Sequence, residues 1–232
     1  MTITVWSDFA CPYCYIGENE LKKAIEDLGL KKDVTFEYRA YELDPEASDV
    51  ADMTSAERIA HKYKMPLDKA EHKVEEINAT GRSLGLMFNY DKAHYTNTLD
   101  AHRLMKYAAE HAPEKVEALN NALFKAYFGE SKVLSSRREL ADIAKSAGLD
   151  RKDVETMLET DRYTAEVRAD EQTACNHNIT GVPFFVIDGE YAIPGALSSK
   201  GFKDALERIS RHAGARVEAD SARTCSGTAC EL

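Results

Sequence analysis

The sequence predicts an α/β fold in which a small mixed sheet is interrupted by a long helical segment. Three observations predict it: a β-α-β unit at the start, roughly a hundred residues of helical periodicity beginning near Asp49, and an α-β-β-α unit that follows them.

The first strand is Thr2-Ile3-Thr4-Val5-Trp6, which alternates β-branched and apolar residues; Ser7-Asp8-Phe9-Ala10 forms the turn after it. Cys11-Pro12-Tyr13-Cys14 then opens a helix in which Ile16, Leu21, Ile25 and Leu28 recur at helical spacing up to Gly29, a C-terminal cap. Val34 to Tyr41 is the next strand, closed by Asp44-Pro45, and the β-α-β order asks for a parallel pair with a right-handed crossover. From about Asp49 the punctuation is helical. Thr54 with Glu57, and Ser136 with Glu139, read as capping boxes, and Pro66 reads as a first-turn proline. Val116, Leu119, Leu123, Phe124 and Tyr127 make a broad apolar stripe that ends at Gly129. After a polar helix from Tyr163 to His177, Phe184-Phe185-Val186-Ile187 reads as a buried strand, Asp188-Gly189 as a hairpin turn and Tyr191-Ala192-Ile193 as the returning strand. Ser198 caps a last helix bearing Phe202, Ala205, Leu206 and Ile209. Beyond Ala213 apolar periodicity stops, so residues 213–232 are expected to form a flexible tail carrying Cys225 and Cys230. With the insertion at 49–162 removed, residues 1–48 and 163–212 spell a thioredoxin fold.

Composition narrows the function. Forty acidic against thirty basic side chains give a net charge of −10, which argues against nucleic acid or an anionic membrane as the main partner. A hydrophobic content of 44% suffices for a core, and no apolar run is long enough to span a bilayer. Met1 leads straight into a strand with no signal-peptide pattern, so a soluble, cytoplasmic protein is expected. There, five cysteines point to catalysis or metal instead of structural disulfides.

Cys11 and Cys14 carry the chemistry. Two sulfurs three residues apart at a helix start share one face and can open and close a disulfide. Cys11, at the mouth of the helix, faces unpaired N–H groups and the positive end of the macrodipole, which favour a thiolate nucleophile. Cys14, a turn further in, is placed to resolve a mixed disulfide by attacking Cys11. The alternative, half of a zinc site, lacks a second pair at ribbon or finger spacing, and no metal is expected. Gly181-Val182-Pro183 enters a strand with a residue that cannot donate to the ladder, so Pro183 belongs at an edge, at a strand start or in a cis turn.

The stretches Trp6 to Cys14, Gly181 to Gly189 and Ile193-Pro194-Gly195-Ala196, around an all-helical insertion, resemble the DsbA-like thiol–disulfide oxidoreductases, and most of all their FrnE-like branch. The likeness covers about residues 1–212 and includes Asn97 to Arg103 and Leu123 to Phe128. It implies a DsbA-like thioredoxin fold, a cis Pro183 facing the cysteines, and a Val182 backbone left free at a sheet edge to hold an extended substrate. It also implies protein or small-molecule disulfides as substrates and no cofactor beyond the redox-active disulfide, with glutathione or another thiol as a co-substrate. Pro12 and Tyr13, together with Phe9, are the side chains expected to line the substrate surface, with Phe9, like Trp6, reading equally well as core. Pro12-Tyr13 also resembles the dipeptide of many glutaredoxins, which leaves the direction of electron flow open.

Cys225 and Cys230, with Gly227 between them, read as a second dithiol, beside the alternatives of a metal clip short of ligands and a tail without a role. The chain from His212 to Cys225 extends to at most about 43–47 Å, enough for a relay to Cys11. Two other readings stand beside the oxidoreductase: a glutathione-dependent isomerase or transferase of the kappa-like type, and a holdase chaperone using the helical layer. Cys175 is expected to be a small buried hydrophobe and His102 an ordinary helical residue. Gly81-Arg82-Ser83-Leu84-Gly85 matches a nucleophile elbow in pattern only, because helical periodicity precedes it.

Overall fold

The computed structural model describes the backbone of residues 1–51 and 53–224, and the side chains of residues 1–51 and 53–211. Four strands, β1 (Thr2–Ser7), β2 (Thr35–Ala40), β3 (Phe184–Ile187) and β4 (Tyr191–Pro194), form one sheet in the order β2-β1-β3-β4. β1 pairs parallel with β2 and antiparallel with β3, and β3 pairs antiparallel with β4. The parallel pair is joined by α1 (Pro12–Asp27), which ends where Gly29 turns into the left-handed region at φ +69°. Asp188 and Gly189 both take positive φ, as a tight hairpin requires, and the Asp188 carboxylate accepts from the Thr2 amide at 2.6 Å, pinning the turn to β1.

Alternation along the strands separates two faces. Ile3, Val5, Phe185 and Ile187 point to one side, where Leu21 and Ile25 of α1 and Phe202 and Leu206 of the last helix, α9 (Ser199–Thr224), cover them. On the other side Trp6 packs with Ala174 and Ile179. Its indole donates to the Asp170 carbonyl at 3.2 Å, fixing α8 (Thr164–Asn176) to the sheet.

The helical insertion comprises α2 (Ser55–Tyr63), α3 (Leu67–Ser83), α4 (Leu99–His111), α5 (Val116–Phe124), α6 (Arg137–Ser146) and α7 (Arg151–Leu158). After α5 the chain runs through a wide π-type turn, Lys125–Gly129, which keeps Phe124, Tyr127 and Phe128 buried together. These rings reach the strand-to-helix turn of the sheet unit: Phe124 meets Phe9 at 5.0 Å and Tyr15 at 5.2 Å between centroids, and Tyr15 stacks on Phe88 at 5.8 Å. Aromatic residues flanking the cysteine motif on both sides are thus gripped by the insertion.

Three details differ from the sequence reading. Thr54 and Glu57 form a complete capping box, but at Ser136 only half forms, because the Glu139 carboxylate turns away to accept from the Val133 amide at 2.7 Å. The last helix continues past Ala213 to Thr224. Lack of apolar periodicity argues against packing, whereas the Ala, Arg and Glu of that stretch favour helix and no proline stops it. Cys175 is exposed, not buried. The buried positions of α8 are Val167, Asp170 and Ala174, and the next residue lies about 100° around the helix from that stripe.

Candidate active site

β1 delivers the chain into a turn that Asp8 organises. Its backbone carbonyl accepts from the Cys11 amide at 3.0 Å, while its carboxylate accepts from the amides of Ala10 at 3.2 Å and Leu43 at 2.8 Å. Cys11 then sits at the N-cap of α1 with extended backbone, and Pro12 takes the first helical position, where a missing N–H costs nothing. The Cys11 thiol donates to the Val182 carbonyl at 3.6 Å, a distance ordinary for sulfur. Cys14 lies one turn inward and is fully buried. Burial, together with the neighbouring Cys11 sulfur, pushes the Cys14 thiol well above its ordinary value.

The Val182–Pro183 peptide is cis and stands opposite this helix mouth. The close approach depends on Gly17, since a side chain there would meet Ala196 at 3.0 Å and Pro183 at 3.3 Å. The Gly195 amide donates to the Pro183 carbonyl at 2.9 Å and holds the loop from behind. Pro183 therefore precedes the interior strand β3, where no ladder donor is lost; it is not on an edge strand. The Val182 carbonyl, expected to be unpaired, is occupied by the Cys11 thiol.

Beside Cys11 opens a cavity of about 340 Å³, bordered by Pro12, Tyr13, Leu43, Ile59, Tyr90 and Val182. A larger one, about 590 Å³, borders Lys22, Phe36 and Glu117 and includes neither cysteine; volume alone does not mark the chemistry. Of the side chains expected on the substrate surface, Pro12, Tyr13 and Val182 border the cavity beside Cys11 and Phe9 does not. Phe9 is 3% exposed and packs on Phe124 and His102, so it supports the motif from within the core. Cys225 and Cys230 lie outside the described residues. Among the described residues no cluster of three or more His, Cys, Asp or Glu is arranged to hold a metal, and no helix is long and apolar enough to cross a membrane.

Two buried acids that the sequence reading passed over flank the motif. His102 of α4 places Nε2 at 3.6 Å from the Asp8 carboxylate, with both side chains almost fully enclosed. Burial pushes Asp8 up, but His102 and the Leu43 and Ala10 amides outweigh it and hold the carboxyl below its ordinary value. Glu18 of α1 accepts from Ser7 Oγ at 3.1 Å and Asn120 Nδ2 at 2.6 Å. Burial outweighs these partners and Lys22, and raises Glu18. A carboxyl raised in the folded state loses folding free energy as pH climbs past its ordinary value of 4.5. Glu18→Gln is therefore expected to melt with wild type at pH 4 and several degrees above it at pH 8. Thermal unfolding at the two pH values checks this; equal melting at both would contradict it. Nothing local marks either acid, because the helix that encloses each one brings a partner, His102 or Asn120, from about a hundred positions away, a pairing that helical periodicity does not encode.

The sequence model of the DSBA-like thioredoxin domain matches residues 2–207. An uncharacterised protein of Bacillus subtilis, YwbO, is 28% identical over 208 residues, covering 88% of this chain and 94% of its own. The crystal structure of a probable DsbA oxidoreductase from Streptomyces coelicolor superposes with a TM-score of 0.84 at 30% identity, over 100% of this chain and 93% of that one. The cytosolic disulfide reductase DsbM of Pseudomonas aeruginosa, solved with GSH, shares the fold at a TM-score of 0.58 and 16% identity, over 91% of this chain and 100% of its own. A helical insertion gripping a strand–CxxC–helix turn opposite a Gly-Val-Pro loop, with a family match spanning nearly the whole chain, leads to one conclusion: the chain belongs to the DSBA-like thioredoxin domain family.

Proposed function

We propose that the protein is a thiol–disulfide oxidoreductase in which Cys11 is the nucleophile and Cys14 the resolving thiol. The observation that carries the reading is the placing of the two sulfurs: Cys11 at the helix mouth, against the Val182 carbonyl and open to a cavity, and Cys14 sealed one turn behind it. The Cys11 thiolate attacks a substrate disulfide, forming a Cys11–substrate S–S bond and releasing one substrate thiolate. Cys14, having lost its proton, attacks Cys11 Sγ and releases the second thiolate. The substrate gains two electrons and the protein becomes the Cys11–Cys14 disulfide; the reverse sequence oxidises a dithiol. Burial raises the Cys14 thiol, so Cys14 must give up its proton before it attacks. Val182 and Pro183 orient the substrate chain, and the two electrons pass directly between the cysteine sulfurs and the substrate sulfurs. Cys225 and Cys230 serve as a second dithiol exchanging with the first.

The test uses an unfolded protein as substrate. Reduced enzyme is expected to open its disulfides and oxidised enzyme to form them. Exchange in neither direction would overturn the reading, and unchanged turnover and redox potential in Cys225→Ser/Cys230→Ser would remove the tail pair from it.

A further inference from the structure

The cavity beside Cys11 has a charge that the rest of the chain does not. In a protein with forty acidic and thirty basic side chains, its border contains Arg58, Lys62 and Lys73 and no carboxylate. Arg58 and Lys62 lie four residues apart on α2, hence on one face of that helix, which the Thr54–Glu57 capping box anchors. Arg58 is held flat, its guanidinium carbon 3.5 Å from the centroid of the Tyr95 ring. Among the described residues neither Arg58 nor Lys62 has a carboxylate within ion-pair distance, whereas Lys73 is paired with Glu76 at 3.3 Å. Arg58 and Lys62 also border the adjoining cavity that holds Asp44 and Glu46, but with neither ion-paired among the described residues, and one of them an oriented fork, they make a receptor for carboxylates. The cavity volume, about 340 Å³, is at the small end of the range for small-molecule sites, about 300–1,000 Å³.

We propose that this cavity takes a low-molecular-weight disulfide bearing carboxylates, which Arg58 and Lys62 hold while one of its sulfurs meets Cys11. The assignment rests on the oxidoreductase reading and adds the substrate class. Cys11 forms a mixed disulfide with one half of the molecule and expels the other as a thiolate. Cys14 then closes the Cys11–Cys14 disulfide and releases the second half. The small disulfide is reduced to two thiols, and the reduced protein is the two-electron donor.

Three symmetric probes of different charge separate the outcomes: 3,3′-dithiodipropionate (anionic), 2-hydroxyethyl disulfide (neutral) and cystamine (cationic). Each is mixed with reduced protein in single turnover, and each rate is divided by that of the same probe with dithiothreitol, which removes intrinsic reactivity. The anionic probe is expected to lead the neutral one by about tenfold and the cationic one by more, with the lead shrinking as salt rises. Arg58→Gln/Lys62→Gln is expected to bring the normalised rates within about twofold of one another. Lys62→Gln alone, at an exposed position that folding tolerates, is expected to lose part of the lead. Equal normalised rates in wild type would overturn this proposal and leave the oxidoreductase reading standing. Reaction with none of the three, nor with a protein disulfide, would overturn that reading instead.

Discussion

Cys11→Ser is expected to lower disulfide exchange by about three orders of magnitude or more, roughly 4 kcal/mol of transition-state stabilisation at about 1.36 kcal/mol per tenfold. A serine hydroxyl at the same N-cap remains protonated at neutral pH and forms no disulfide, and the buried Cys14 cannot replace it from one turn inside. Cys14→Ser should fail differently. The first attack survives but the mixed disulfide on Cys11 has lost its resolving thiol, so with Cys225 and Cys230 also changed to Ser turnover stops after one substrate while the adduct persists. Single-turnover rates for the two variants check the pair. Comparable first-attack rates in wild type and Cys11→Ser would assign the nucleophile elsewhere, with the exposed Cys175 the first candidate.

Asp8→Asn is expected to be the most destabilising polar substitution near the site, at about 1–3 kcal/mol at pH 7, the cost of leaving a buried amide without its acceptor. The carboxylate has no slack. One oxygen accepts from Ala10 and faces His102, the other accepts from Leu43, and an amide group brings two donors into a place built for an acceptor. The pH dependence has a definite sign. Asp8 is held below its ordinary value of 3.8 in the folded protein, so its stabilisation is fully present above that pH and is lost as pH falls through the lower folded value. Urea unfolding should therefore show wild type and Asp8→Asn far apart at pH 7 and converging below about pH 4. A gap that does not change with pH would mean that the ionised Asp8 carboxylate does not stabilise the fold. Because the same carboxylate shapes the turn into Cys11 and ties down Leu43 on the cavity wall, the variant should also react more slowly with small disulfides.

The framework of the fold was legible because local rules and tertiary packing agree in it. The β-α-β unit, the complete cap at Thr54, the hairpin at Asp188-Gly189 and the strand after Pro183 all follow from periodicity and turn chemistry over a few residues. Cys11 and Cys14 were legible for the same reason, since strand, turn and helix adjoin in sequence. What escaped was set by distant partners. His102 resembles any helical histidine until α4 is packed against the turn that holds Asp8, and Glu18 resembles a solvated helix position until Asn120 and Ser7 close over it. Phe9 was ambiguous between substrate surface and core, and the insertion decided it by supplying Phe124. The cationic border of the cavity draws on α2 and α3, so it exists only after the insertion has folded over the sheet unit.

Trapping shows which sulfur attacks and which resolves. Reduced Cys14→Ser is mixed with one equivalent of a substrate disulfide, quenched with acid and mapped by peptide mass. One adduct per chain is expected, on the peptide containing Cys11, and none in wild type, where the Cys11–Cys14 disulfide should appear in its place. An adduct mapping to Cys175, Cys225 or Cys230, with Cys11 left free, would contradict it.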